Sequence, residues 1–192
     1  MANPLIALVG RPNVGKSTFF NKVAGRKIAI TENRPGVTRD RLYADAEWRG
    51  KKFTVVDTGG IELKSEDTMW REIFKQADVA IDTADVILFF TDGREGLSAS
   101  DYDVADVLRR SKKPVILVVN KIDEYSPDKV FEFYALGLGE PFAVSAEHSS
   151  GIGDVLDKAV EYFPEGETEE DKSLKIAIVG KPNAGKSSLV NR

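Results

Sequence analysis

The 192-residue chain has no cysteine, one histidine, and no apolar run long enough to cross a bilayer. Without cysteine there can be no disulfide and no thiolate metal site; a reducing compartment is favoured only weakly by that absence. Positive charge is also in short supply. Lys and Arg number 27 against 31 Asp and Glu, the net charge is −4, and no basic stripe runs through the chain. Extensive contact with a phosphate backbone is therefore not expected, and a nucleic-acid partner would need another module. A secretory leader is not expected either: the short run Leu5–Val9 lacks a basic flank and a cleavage site. The expected location is the cytoplasm, with no membrane partner. His148 lies in the polar segment Glu147-His-Ser-Ser150 and has no neighbouring nucleophile in sequence, so it reads as an exposed loop residue.

What is present is a repeated phosphate-cradle pattern. Residues 6–22, IALVGRPNVGKSTFFNK, recur at 176–192 as IAIVGKPNAGKSSLVNR, with ten of seventeen positions identical. Both copies contain G-x-x-x-x-G-K-[ST], starting at Gly10 and Gly180. In that pattern glycines let backbone N–H groups close around phosphates, while the Lys and the hydroxyl serve the terminal phosphates and Mg²⁺. Apolar runs precede both loops and helix-compatible residues follow the first, as strand–loop–helix geometry requires. The expected organisation is a first nucleotide-binding domain at 1–163, an acidic linker at 164–174, and the strand and P-loop of a second domain at 175–192, as in a longer tandem protein. Apart from the rest of its sheet, that second loop should bind no nucleotide, and residues 165–192 should be disordered or add a strand to an exposed sheet edge.

With 42% hydrophobic and 30% charged residues, the chain can bury one α/β core with little to spare. Strand-like runs at 4–9, 42–48, 52–57, 86–91, 115–119 and 141–144 alternate with helical patterns at 16–24, 69–83, 99–110, 127–136 and 152–162. Val86–Phe90 and Val115–Val119 are continuously apolar, as in central strands covered on both faces. Arg49-Gly50 leaves no room for a helix between residues 42 and 57, so that pair should be an antiparallel hairpin. The expectation is an α/β three-layer fold on a mostly parallel six-stranded sheet with one antiparallel edge strand.

Gly10–Ser17 ends a strand and opens a helix, which favours a di- or triphosphate. Lys16 should reach the β- and γ-phosphates, and Ser17 should bind Mg²⁺. Asp57-Thr-Gly-Gly60 follows the strand Phe53–Val56, where a P-loop protein needs a carboxylate on the metal side and a backbone N–H, here that of Gly60, facing the γ-phosphate. Asn120-Lys-Ile-Asp123 makes the base readable. Guanine offers N1–H and N2–H₂ side by side, which a carboxylate such as Asp123 accepts in a bidentate way; adenine has no such pair, and a carboxylate buried against it would be left unsatisfied. Asn120 would support the base from its O6/N7 side or else hold the P-loop. Beyond the next strand, Ser145-Ala-Glu147 places the Ala146 N–H to donate to guanine O6. These segments point to GTP rather than ATP.

In this order the segments resemble the Ras-like, translation-factor-related GTPases, over residues 4–163. Pro35–Asp40, Asp57–Ile61, Asn120–Asp123 and the second P-loop narrow the likeness to the EngA (Der) tandem GTPase family. The resemblance implies a P-loop NTPase fold and a GTP-hydrolysing switch acting in large ribosomal subunit assembly, with the ribosomal subunit or its assembly intermediates as partner of the longer protein. GTP or GDP would be held by Asn13, Val14, Gly15, Lys16, Ser17, Thr18, Asn120, Lys121, Asp123, Ser145, Ala146 and Glu147, and Mg²⁺ by Ser17, Thr38 and Asp57. Lys16, Thr38, Gly60 and Asn13 would carry hydrolysis. Thr38 would be the switch threonine, in a segment at 25–41 ordered by the γ-phosphate; the alternative is an ordinary loop threonine. Ile61 stands where Ras has a water-orienting glutamine, so unaided hydrolysis should be slow. Relatives with this substitution commonly use K⁺ held by a P-loop asparagine, here Asn13; otherwise Asn13 is a turn residue that tolerates left-handed geometry.

Two other functions stay open: a P-loop ATPase or small-molecule kinase, and a non-catalytic guanine-nucleotide docking module. The basic cluster Arg109–Lys113 reads as a solvated helix end or an RNA contact, and the stripe Trp70, Ile73, Phe74, Ala77, Ala80 and Ile81 as core or a partner surface.

Overall fold

The computed structural model describes residues 3–25, 42–58, 66–123 and 127–163. Expectations for the 25–41 segment beyond Gly25, for Gly60 and Ile61, and for the linker and second P-loop lie outside these residues. Six strands form the sheet: β1 (Leu5–Gly10), β2 (Leu42–Trp48), β3 (Lys51–Asp57), β4 (Val86–Asp92), β5 (Val115–Asn120) and β6 (Pro141–Ala143). Their order is β2-β3-β1-β4-β5-β6, parallel throughout except that the edge strand β2 runs antiparallel to β3. The helices are α1 (Lys16–Ala24), α2 (Glu66–Thr83), α3 (Ala99–Arg110), α4 (Pro127–Phe131) and α5 (Ile152–Glu161).

Strand alternation splits the core between the two faces of the sheet. Ile6, Leu8, Leu88, Phe90 and Val118 point to the side covered by α1 and α5, whereas Ala7, Val9, Ile87, Phe89 and Leu117 point to the side covered by α2 and α3. Both faces of β1, β4 and β5 are apolar because both are roofed. Ile152, Val155, Leu156, Ala159 and Val160 form the buried stripe of α5. In α2, Ile73, Ala77 and Ala80 are buried, which makes this part of the stripe core; the Trp70 side chain lies outside the described set.

The hairpin turns on Arg49 (φ 48°) and Gly50 (φ 79°), the two positive angles of a type I′ turn. Asp157 on α5 secures its tip, accepting the Trp48 indole N–H at 2.6 Å and the Arg49 guanidinium at 2.6 Å.

One helix differs from expectation. The pattern at 127–136 is not a continuous α-helix: after α4 the chain tightens into a 3₁₀ segment, Glu132–Leu136, ending at Gly137 in the left-handed conformation. Val130, Phe133 and Leu136 are the buried residues there. Their spacing of three matches the three-residue turn of a 3₁₀ helix, so one face packs on the sheet without α pitch.

β1 ends where the sheet order reverses, with β3 on one side and β4 on the other, so its carboxyl end opens at the switch point where α/β sheets bind ligands. Phe90, fully buried on β4, supports this centre through an edge-on contact with Phe19 of α1, ring centroids 5.1 Å apart. Phe90→Ala should destabilise the fold by about 3–5 kcal/mol, read as a lower urea midpoint at unchanged m-value.

Candidate functional site

The P-loop begins with a constraint on Gly10 (φ 150°), where a Cβ would stand 2.4 Å from the Phe90 carbonyl oxygen. Gly15 (φ 93°) precedes α1, where a Cβ would meet the Asn120 Nδ2 at 2.1 Å. Between them, Asn13 is exposed and left-handed (φ 64°), so the turn geometry proposed for it is present. No side chain caps the start of α1, and its first turn carries no acidic residue. Its leading N–H groups and positive dipole end are thereby left for an anion.

Lys16 folds back under this loop. Only 6% exposed, its ammonium donates to the Gly10 and Arg11 carbonyls at 2.7 Å each. Three ammonium donors and two carbonyl acceptors leave one donor for a phosphate oxygen. Burial pushes Lys16 down to about 8, against the opposing pull of the Asp57 carboxylate. Ser17 and Thr18 are exposed on the first turn of α1. The Ser17 hydroxyl donates to Asp57 Oδ2 at 2.7 Å, across from the end of β3. That pairing is the oxygen donor set Mg²⁺ accepts in phosphate-binding sites, a carboxylate and a hydroxyl beside the phosphates, and the residues fit the ion on those grounds. Thr58 is fixed next to it by donating to the Leu8 carbonyl at 2.6 Å.

Asn120 closes the other side. Buried at 2% exposure, its amide donates to the Val14 carbonyl at 2.8 Å and its oxygen accepts the Ala146 N–H at 2.9 Å. Of the two uses considered for Asn120, the hold on the P-loop is the contact present here. The Ala146 N–H donates to Asn120, in a loop closed by a bridge between Ser145 and Ser150. Asp123 is exposed, past the end of β5 at the rim of the sheet. Its Oδ1 accepts the Ser145 hydroxyl at 3.0 Å, and its Oδ2 is paired with Arg94. Arg94 first, then Ser145, holds the carboxyl below the usual carboxylate range. Lys121 (φ 67°) pairs with Asp92 Oδ2 at 2.5 Å, and Glu147 is exposed beyond Ala146. Burial pushes Asp92 up, but bonds from Lys121 and from the Arg94 and Glu95 N–H groups together hold it below its ordinary value. His148 is exposed, its Nε2 3.8 Å from Asp123 Oδ1.

The segment Asp92-Gly-Arg-Glu-Gly96 was missed in the sequence. Its signal in the sequence was a charged run following the apolar stretch Val86–Phe90; that it stands beside the base loop, Asp92 opposite Asn120, is set by strand register. Arg11 was missed as well; its guanidinium donates to the fully buried Asp101 at 3.0 Å and to Glu95 at 3.2 Å, tying the P-loop to the start of α3. Thr38 and Gly60, assigned to metal and γ-phosphate, lie outside the described residues. Among the described residues, no group of three or more His, Cys, Asp or Glu could hold a metal, and no helix is long and apolar enough to cross a membrane.

A switch-point P-loop, a carboxylate–hydroxyl pair and an Asn-Lys-x-Asp loop on one sheet edge define a Ras-like P-loop GTPase. The profile of the 50S ribosome-binding GTPases matches residues 5–121 and again 175–192, and the chain belongs to that family. GTPase Der of Clostridium tetani is 58% identical over 195 residues, covering 100% of this chain and 44% of that protein. The chain thus spans less than half the length of the curated relatives it matches, and the EngA (Der) likeness read from its motifs is borne out. Among solved structures, a variant of Era from Aquifex aeolicus bound to GDP and AlF₄⁻ is 31% identical with TM-score 0.68, covering 87% of this chain and 59% of that one. The G domain of the T. maritima FeoB iron transporter is 29% identical with TM-score 0.60, covering 83% and 98%.

Two outcomes follow from this geometry. Asn120→Ala leaves the Val14 carbonyl and Ala146 N–H without their partner, and should cost about 1–3 kcal/mol of stability with no nucleotide added, measured by urea unfolding. Lys16 loses its proton near pH 8, and a polyphosphate needs it protonated. Nucleotide affinity should therefore be flat below pH 8 and weaken above it, with proton uptake on binding seen by calorimetry in buffers of different ionisation enthalpy.

Proposed function

We propose that residues 1–163 bind GTP and GDP and hydrolyse GTP slowly, as the first switch domain of a tandem protein acting in the cytoplasm on assembly of the large ribosomal subunit. One observation carries this: the phosphate cradle, the Ser17–Asp57 pair and the Asp123 carboxylate sit on the same carboxyl edge of the sheet, with Asn120 bonded to the P-loop. The α1 N-terminus and Lys16 would take the phosphates. Ser17 and Asp57, with Thr38, would hold Mg²⁺, which supplies charge neutralisation at the terminal phosphates when bound. Asp123 would accept guanine N1–H and N2–H₂, a pair that adenine lacks. The Asn120 contacts support this assignment indirectly, by fixing the spacing between phosphate and base.

The description of the matching family, 50S ribosome-binding GTPase, supports the ribosomal role, which belongs to the longer protein; residues 164–174 would link this domain to the second, beginning at 175. Ile61 cannot orient water, so transition-state charge needs another stabiliser, and K⁺ at Asn13 is the reading that suits an exposed asparagine in the P-loop turn. The same Ile61 is what favours the second reading, a docking module that binds guanine nucleotide without turnover.

Fluorescent GDP with Mg²⁺, competed by GTP, GDP and ATP, tests the proposal. One site per chain displaced by GTP and GDP but not ATP is expected; displacement by ATP would overturn the guanine reading. Single-turnover GTP hydrolysis should be faster in K⁺ than in Na⁺ at matched ionic strength. Equal rates would remove K⁺, and no hydrolysis in either would favour the docking module.

A further inference from the structure

We propose that Arg94 is a positioning residue for base recognition: together with Ser145 it clamps the Asp123 carboxylate from both sides and aims its remaining lone pairs at the guanine edge. The proposal rests on the guanine reading above.

An ionised carboxylate has about four acceptor sites, two per oxygen. In this protein each Asp123 oxygen already takes one protein donor, the Ser145 hydroxyl on Oδ1 and Arg94 on Oδ2. His148 stays outside hydrogen-bond reach at 3.8 Å. One acceptor site therefore remains on each oxygen, the number that adjacent N1–H and N2–H donors require. A carboxylate held on one side only could swivel about its side-chain bond; held on both, it presents those two sites in one plane.

The arm that places Arg94 is built into the fold. The Asp92 carboxylate, itself 1% exposed and paired with Lys121 at 2.5 Å, accepts the Arg94 N–H at 2.9 Å and the Glu95 N–H at 3.3 Å. Gly93 donates its N–H to the Asn120 carbonyl at 2.8 Å, and a Cβ on Gly93 would lie 2.3 Å from Ile122 Cδ1. A side chain at 93 would have to displace the end of Ile122 and crowd the Asn120 carbonyl, 3.0 Å away. The backbone of Arg94 is thus anchored to the segment that carries Asp123, while its half-exposed guanidinium is left to reach across. An incidental surface pair has no such anchorage.

The test is competition against fluorescent GDP by GDP, by inosine diphosphate, which lacks the N2 amine, and by ADP, for the wild type, Arg94→Ala and Arg94→Lys at low and high salt. An exposed pair contributes modestly, so Arg94→Ala should weaken GDP about three- to fivefold at low salt. Inosine diphosphate should lose less, because a swivelling carboxylate still meets one donor, so the GDP preference over it narrows. Arg94→Lys should recover part of the loss, and the gap to wild type should shrink as salt screens the pair. Melting temperatures of wild type and variants should agree. Unchanged affinity in Arg94→Ala, equal losses for the two nucleotides, or tighter binding would overturn the proposal; tighter binding would make Arg94 a competitor of the base. A wild type that fails to prefer GDP over ADP would strike down the guanine reading itself.

Discussion

The buried amide of Asn120 is the contact on which the rest of this site depends. It stands at the end of β5 and joins three loops that are far apart in sequence: the P-loop through the Val14 carbonyl, the base loop through its own backbone, and the loop after β6 through the Ala146 N–H. Both hydrogen bonds of the amide are shielded from water, so either one lost would leave a desolvated partner behind. The same amide sets the composition of the P-loop. With Nδ2 2.1 Å from where a Gly15 Cβ would stand, only glycine allows the loop to approach, and the start of α1 is drawn against the base side of the site.

The charges follow from that arrangement. Lys16 is buried beneath the loop, bound by carbonyls rather than by a carboxylate, so its charge stays available to a phosphate while burial makes the proton easier to lose. Asp57 is engaged by the Ser17 hydroxyl, and Asp92 and Asp123 are each paired with a cation. Carboxylates around a polyphosphate site would repel the ligand if left bare, and the cations paired with Asp92 and Asp123 offset that repulsion. Arg11 extends the network from the P-loop to the buried Asp101, whose other oxygen completes the Ser98 capping box at the start of α3. Phosphate and base loops are therefore braced against neighbouring helices as well as against each other.

Legibility differed by element for definite reasons. The strands β1, β4 and β5 are readable because continuous apolar runs have few other uses at that length, and α5 because its stripe keeps helical period over three turns. The 127–136 segment misleads because spacings of three occur in both α and 3₁₀ helices; only docking on the sheet distinguishes them. The Asp123 motif was readable, but its pairing with Arg94 was not, because the two lie 29 residues apart. The partner of the Ala146 N–H is likewise an amide 26 residues earlier in the chain, which no local pattern shows.

By itself the sequence determined the architecture and the local chemistry: a parallel sheet with one hairpin edge, a phosphate cradle after the first strand, an acid after the third and an amide–carboxylate loop after the fifth. These are properties of contiguous residues, set by apolar period and by what glycine, lysine and serine can do in a turn. Tertiary structure alone decided which partner each polar group keeps. That Asn120 holds the P-loop, that Lys121 serves Asp92, and that Arg94 reaches Asp123 across 29 residues all depend on β4 and β5 lying in register, Asp92 beside Asn120. Side chains distant along the chain meet only once the strands have paired, because strand register sets their separations.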